Sequence, residues 1–261
     1  MSVDFLRASA KALFDAEANR APIQPLTADN PSLTVEDAYR IQSNVLQMKK
    51  DQGERIVGKK IGLTSKAIQT QLGVFEPDYG QITHKMVVAD GSALSMMQLI
   101  KPKVEAEVAF ILKQDLQGPS VTTADVLRAT EGVMPVLEII DSRIRDWKIK
   151  IQDTIADNAS SARVVTGGAL TALGNLQLNL IGAVFEKNGG IVATGAGAAV
   201  LGHPAHSVAW LANKLSEFGE PLRAGEIVLS GSLTAAVDAS AGDVFRVSFD
   251  RLGSVAVRFT A

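Results

Sequence analysis

Val104-Glu105-Ala106-Glu107-Val108-Ala109-Phe110 is the stretch whose reading decides the fold. Its apolar residues recur at a period of two, the period of a β-strand. Val104, Ala106, Val108 and Phe110 fall on one face, and Glu105 and Glu107 share the other. Two residues along a strand separate the two carboxylates by roughly 7 Å.

Strand texture continues outward in both directions. RIVGKKIGLTS (55–65) reads as a strand with glycines near its end, and MPVLEIID (134–141) is a near-continuous apolar run. LQLNLIGAVFE (176–186) leads into Asn188-Gly189, a hairpin signal. EIVLSGSL (226–233), VFRVSFD (244–250) and SVAVRF (254–259) close the chain as strands, and WKIKIQDT (147–154) reads as extended. Helices are few. Leu6, Ala10, Leu13 and Phe14 predict one over 3–20, and APIQPLTADNPS (21–32) is a connector. Thr34, with Asp37 three residues on, opens a second helix that Gly53 stops. A third begins near Pro204 and stops at Gly219. The pattern predicts an α+β fold, an antiparallel-rich β-roll with a helical N-terminal layer. Residues 1–55 are expected to form the helical part and 56–261 the β-rich part, read as one structural unit. A doubly wound sheet would need helices alternating with strands throughout.

The chain has 261 residues, 46% of them hydrophobic, which is enough for a large buried core. Its 26 basic and 28 acidic side chains give a net charge of -2, without the basic footprint of a nucleic-acid binder. There is no cysteine, so disulfides, thiolate metal sites and cysteine nucleophiles are excluded. Asp4 stands where a signal peptide would be basic and then apolar, and no run suits a membrane span. A soluble, cytoplasmic protein without membrane partners is expected.

Chemistry concentrates in the acids. Glu138 lies inside Pro135-Val136-Leu137-Glu138-Ile139-Ile140, where an ionised carboxylate is costly unless something pairs with it. Three acids in apolar strands, without a histidine cluster, suit a hard divalent cation such as Mg²⁺ or Mn²⁺. The same residues also suit a solvated sheet face for Glu105 and Glu107, with Glu138 paired to Arg143. Of Lys59 and Lys60, alternation points one inward; two ordinary lysines at a strand edge is the other reading. Asp78, in Glu76-Pro77-Asp78-Tyr79-Gly80, reads in isolation as a turn former, and alternatively as a general acid or base. Asp157-Asn158-Ala159-Ser160-Ser161 and Ser230-Gly231-Ser232 are small polar clusters that fit either turns or ligand contacts. Gly195-Ala196-Gly197-Ala198-Ala199 lacks the third glycine of a dinucleotide fingerprint, and His84, His203 and His206 lack zinc spacing.

Longer strings add a resemblance. GKKIGLTSKAIQTQLGVFEPDYG (58–80), KPKVEAEVAFIL (101–112), PVLEIIDSRIRDWKIKIQDTIADNASS (135–161) and GAGAAVLGHPAHSVAWLANKL (195–215) carry it, and it extends over essentially the whole chain. The sequence resembles the hydratase/decarboxylase family of meta-cleavage pathways for aromatic compounds, relatives of fumarylacetoacetate hydrolase. That resemblance implies a mixed β-roll, Mg²⁺ or Mn²⁺, and a small 2-oxo acid or 2-hydroxydienoate substrate. It implies Glu105, Glu107 and Glu138 as metal ligands. It makes Lys60 a substrate-contacting catalytic lysine and Asp78 a proton-transfer acid. Leu63, Ser160, Ser161 and Ser232 become substrate-binding positions.

The implied activity is addition of water to 2-hydroxypenta-2,4-dienoate, giving 4-hydroxy-2-oxopentanoate. The alternative is 4-oxalocrotonate decarboxylase, and a second alternative is a structural partner of the sister enzyme. Asp78 and the DSRIRDWKIKIQDT segment favour the hydratase. Arg163 and AAVLGHP (198–204) lean towards the decarboxylase, because an arginine near the pocket would pair with a second, distal carboxylate. A homo-oligomer, possibly complexed with the sister enzyme, is also implied.

Overall fold

A computed structural model describes residues 1–66, 69–70 and 74–261. Residues 67–68 and 71–73, part of the 58–80 motif, lie outside the described residues. Helix α1 (Val3–Asn19) buries Leu6, Ala10, Leu13 and Ala16, the expected stripe extended by one turn. A short helix α2 (Leu26–Asp29) sits in the connector, and α3 (Val35–Asp51) follows. The Thr34 hydroxyl accepts from the Asp37 backbone N–H, so the expected N-cap forms.

The strands then build two sheets. β1 (Ile56–Gly62), β2 (Asp78–Thr83), β3 (Val87–Ala89), β5 (Lys103–Leu112), β6 (Thr130–Ile140), β7 (Ser161–Thr166), β10 (Ile227–Ser232) and β11 (Val237–Asp238) form the larger one. Its order is β2-β1-β10-β5-β6-β7-β3, with β11 paired to β5. The smaller sheet runs β4-β13-β12-β8-β9. It comprises β4 (Ala93–Ser95), β8 (Gly182–Lys187), β9 (Gly190–Ala196), β12 (Val244–Phe249) and β13 (Gly253–Thr260). Most pairings are antiparallel, while β1–β10, β3–β7 and β4–β13 are parallel. The α+β class is therefore the observed one. Asn188 and Gly189 both take positive φ, as the tight turn between β8 and β9 requires.

Among the described residues, further helices are α4 (Thr123–Ala129), α5 (Ile151–Ala156) and α6 (Pro204–Ser216). Two of them correct the sequence reading. The 147–154 segment is not extended, because Asp153 caps the start of α5 by accepting from the Lys150 N–H. Asp153 also accepts from Thr27, which ties α2 to α5. Helix α4 was not expected, although Thr122 and Asp125 form a reciprocal capping box at its start. Residues 176–181 lie outside β8 because the chain turns there before the strand begins.

The two faces of the larger sheet differ in chemistry. Val104, Ala106, Val108 and Phe110 belong to one apolar cluster that also takes in Leu13 and Ile41 from the helices and Phe245 and Phe259 from the smaller sheet. The opposite face carries Glu105 and Glu107. There a second, smaller cluster of Ile82, Met86, Ala109, Val136, Val164 and Leu229 seals one end. The acids lie at the other end of that face. Among the described residues, no helix is long and apolar enough to cross a membrane.

Phe110 is fully buried. Phe110→Ala should destabilise the protein by about 3–5 kcal/mol, read as a lowered urea midpoint with the slope unchanged. A midpoint shift equivalent to under about 1 kcal/mol would remove Phe110 from the core.

Candidate metal centre and substrate cavity

Register brings the acids together. Glu105 on β5 lies directly opposite Glu138 on β6, and Glu107 is opposite Val136. Cross-strand partners share a face, so all three carboxylates point the same way. One oxygen from each falls within 4.8 Å of the others. Glu107 and Glu138 are buried, and Glu105 is half-buried. A solvated sheet face is thus excluded. Glu138 does not pair with Arg143 either, because Arg143 is taken by Asp157.

Lys60 and Asp78 join the acids on the same face. Lys60 pairs with Leu229 of β10 and Gly80 of β2, and Asp78 pairs with Gly62. β1 is thus an inner strand, not an edge, and both lysines are buried. Lys59 turns away to Glu226 at 2.7 Å. Lys60 Nζ lies 3.3 Å from Glu138 Oε2 and donates to the Ala159 carbonyl at 3.0 Å. Asp78 opens strand β2 and is 2% exposed, so the turn reading of this residue does not hold. Gly62 makes the arrangement possible. A Cβ there would lie 2.2 Å from Asp78 Oδ1 and 3.4 Å from Lys60 Nζ.

Charge is unbalanced here. Burial and mutual repulsion among the carboxylates push Glu105 up to about 7 and Glu107 well above the usual range. Burial also pushes Asp78 up, against the pull of Lys60. Burial opposes the Lys60 ammonium, but Glu138, Asp78, Glu105 and Glu107 outweigh it and hold its pKa above that of an ordinary lysine. Among the described residues, both Glu138 oxygens, Asp78 Oδ1 and the hydroxyls of Ser160 and Ser161 have no hydrogen-bond partner. Glu107 Oε2 has one donor, the Gly231 N–H at 2.8 Å. Buried carboxylate oxygens without donors fit a hard divalent cation better than any protein group present.

These residues open into a cavity of about 400 Å³. Lys60, Leu63, Asp78, Glu105, Glu107, Ser160 and Ser232 all line it. The Ser232 hydroxyl donates to Thr234 O at 2.8 Å. Ser161 lies beside Ser160, buried and off the lining. Arg163 is not brought into the cavity. β7 carries a register shift beside it that pairs Arg163 with Ile139, whose side chain is in the large apolar cluster. Its guanidinium donates to the Ala162 carbonyl at 2.8 Å. Apolar lining comes from Ile140, Trp147, Ile149, Leu233 and Ala235, and Thr64, Ser65, Thr154 and Thr234 add polar groups.

Sequence reasoning missed what holds Ser160 in the cavity lining. Asn158, Ala159 and Ser160 all take left-handed φ, at 54°, 49° and 56°. Three such non-glycine residues in a row are strained and need holding. Buried Arg143 holds them. Its guanidinium donates to the Asp157 carboxylate and carbonyl on one side of the turn, and to the Ser161 and Asp141 carbonyls on the other. Asn158 adds paired hydrogen bonds to the Gln81 backbone at 2.8 and 2.9 Å. The turn thereby aims Ala159 O at Lys60 and leaves Ser160 on the cavity wall. A lone arginine in the buried IIDSRI segment was the available signal.

The profile of the fumarylacetoacetate (FAA) hydrolase C-terminal family matches residues 38–260, and the chain belongs to that family. It is 48% identical to a 2-hydroxyhexa-2,4-dienoate hydratase of Comamonas testosteroni, over 98% of each chain. It is 51% identical to a 2-hydroxypent-2,4-dienoate hydratase of Pseudomonas putida, over 79% of this chain and 94% of that one. Among solved structures, a 4-oxalocrotonate decarboxylase of Pseudomonas putida G7, complexed with magnesium and adipate, superposes with a TM-score of 0.97. It is 43% identical, over 99% of this chain and 98% of that one.

Two predictions follow the geometry. Glu138→Gln should weaken Mg²⁺ binding by about two orders of magnitude in titration calorimetry, with the melting temperature held or raised, because a buried charge is removed. Unchanged Mg²⁺ affinity would take Glu138 out of the metal centre. Gly62→Ala should abolish turnover while the protein still folds, since the new methyl occupies the space of the Asp78 carboxylate. Wild-type turnover in that variant would contradict the packing described.

Proposed function

We propose that the protein is a metal-dependent hydro-lyase that adds water to a short 2-hydroxy-2,4-dienoate, with 2-hydroxypenta-2,4-dienoate giving 4-hydroxy-2-oxopentanoate. The observation that carries this reading is the polarity of the cavity. Glu105, Glu107, Lys60 and Asp78 share the lining with apolar Ile140, Trp147, Ile149, Leu233 and Ala235. Lys60 is the only basic side chain among the described lining residues. Such a cavity suits an acid with one charged end and an apolar tail. The names of the relatives at 48% and 51% identity agree with that substrate class.

Glu105, Glu107 and Glu138 would hold a divalent cation, Mg²⁺ or Mn²⁺. Bound there, it would supply Lewis-acid stabilisation for negative charge developing on the substrate's C2 oxygen. The chain's own groups do the rest. Lys60 places a permanent positive charge at the same end and stabilises the enolate-like oxygen. The Ser160 hydroxyl, with no protein partner, is free to donate to the substrate carboxylate. Asp78 moves the protons. Ketonisation takes the proton from the C2 hydroxyl and delivers one to C5, leaving a 3-ene conjugated to the 2-oxo group. Water then adds its oxygen to C4 and a proton arrives at C3. A buried carboxyl whose pKa is raised by loss of solvation suits such acid–base duty. Ile140, Ile149 and Leu233 keep bulk water from the tail.

Loss of CO₂ from 4-oxalocrotonate would use the same electron sink, and the superposition with the decarboxylase keeps that reaction as the second reading. It needs a place for a distal carboxylate, which Arg163 does not provide in this fold. Self-association belongs to the proposal as well. Edge strand β9 exposes Ile191 and Val192 and carries no charged residue. A cytoplasmic location is part of the same reading.

Purified protein with Mg²⁺ should consume 2-hydroxypenta-2,4-dienoate with a mass gain of one water, and leave 4-oxalocrotonate largely unchanged. CO₂ release from the latter as the faster reaction would replace the hydratase assignment with the decarboxylase. Asp78→Asn should lower kcat by at least about 100-fold with KM little changed. Full water-addition rate in that variant would remove Asp78 from proton transfer.

A further inference from the structure

A basic side chain stands just behind two apolar residues of the cavity lining, Ile140 and Trp147. Lys103 lies on β5 two residues before Glu105, directly opposite Ile140 on β6. Alternation and register put it on the same sheet face as both, and both line the cavity. Its Nζ is 5.5 Å from the ring centre of Trp147, a third lining residue. Trp147 is fixed at that rim by an indole hydrogen bond to the Lys101 carbonyl at 3.0 Å.

Lys103 does not reach into the cavity. Its ammonium is bound to Asp238 Oδ1 at 2.8 Å. Asp238 sits on β11, whose pairing with β5 places it directly across from Lys103. The Asp238 side chain is 72% exposed and that of Lys103 28%, so the pair is open to solvent rather than buried in the core. An ion pair so open to water adds little stability. It has a different effect, because it neutralises a cation that would otherwise face the tail of a bound substrate.

We propose that the Lys103–Asp238 pair sets the cavity's preference for monocarboxylates over dicarboxylates. Asp238 acts as a specificity-determining residue by holding Lys103 out of reach. About 7 Å of strand separates Lys103 from Glu105, a span that a six-carbon 2-oxo diacid covers from end to end. A distal carboxylate arriving there meets an ammonium already neutralised, and the negative Asp238 behind it. Rejection by a repulsive element and a withheld partner is a recognised route to specificity. A distal methyl or vinyl group meets Ile140 and the face of Trp147 without penalty. The inference rests on the reading of the cavity as a 2-oxo acid site.

The test uses the full chain loaded with Mg²⁺ and two probes of equal length, 2-oxohexanoate and 2-oxohexanedioate, measured by titration calorimetry. The wild type should bind the monoacid at least 10-fold more tightly. Asp238→Ala should raise affinity for the diacid at least 5-fold and change that for the monoacid less than 2-fold. Adding Lys103→Met to Asp238→Ala should remove the gain. Melting curves of both variants should match the wild type within a few degrees. A diacid-to-monoacid ratio unmoved by Asp238→Ala, or a gain that survives the loss of Lys103, overturns the inference while the 2-oxo acid reading stands. Failure of both probes to bind the wild type overturns the reading, and the inference with it.

Discussion

Three carboxylates facing one another inside a sheet are the constraint on which the rest of this structure depends. Glu105, Glu107 and Glu138 sit within 4.8 Å of one another, and Lys60 is the nearest opposite charge. Such a cluster repels itself, and burial raises the cost of each charge. Much of the surrounding structure makes sense as support for it. Gly231 lends Glu107 a backbone donor, and Gly62 omits a side chain so that Lys60 and Asp78 can stand together. The remaining bare oxygens match the oxygen-only ligand set of a hard divalent ion.

A second layer of support is backbone strain held by one arginine. The left-handed turn at Asn158–Ala159–Ser160 would not persist alone. Arg143 binds carbonyls on both sides of it, and Asn158 pins it to β2. The turn carries Ser160 and the carbonyl that receives Lys60, so the site is positioned by an ion pair that lies off the cavity lining. The lining itself combines charged groups with apolar side chains, which suits an acid with an apolar tail. Lys103, paired with Asp238 beside Ile140 and Trp147, is placed to bias the choice of tail.

Much of this was legible in the sequence, and the failures have physical causes. Strand alternation around Val104–Phe110 places the two glutamates on one face without any structure, and Glu138 stands out because it interrupts an apolar run. The N-cap at Thr34 and the Asn188-Gly189 turn are local signals, and local signals survive folding. In isolation Asp78 reads as a turn former because Pro77 and Gly80 resemble a turn, while the partner that makes the segment a strand lies in β1. Residues 147–154 alternate like a strand, yet the Asp153 cap starts a helix that tertiary contacts with Thr27 secure. Arg163 could not be placed from sequence. A one-residue register shift in β7 decides which face it joins, and no local pattern marks that shift.

The most direct measurement is a crystal structure of the protein grown with Mn²⁺ and 2-oxopentanoate, using anomalous scattering to locate the metal. The account predicts one manganese peak bounded by Glu105, Glu107 and Glu138. The ligand's carboxylate should lie at the Lys60 end and its alkyl tail against Ile140 and Trp147. A peak elsewhere, or a ligand bound with its carboxylate towards Trp147, would contradict it.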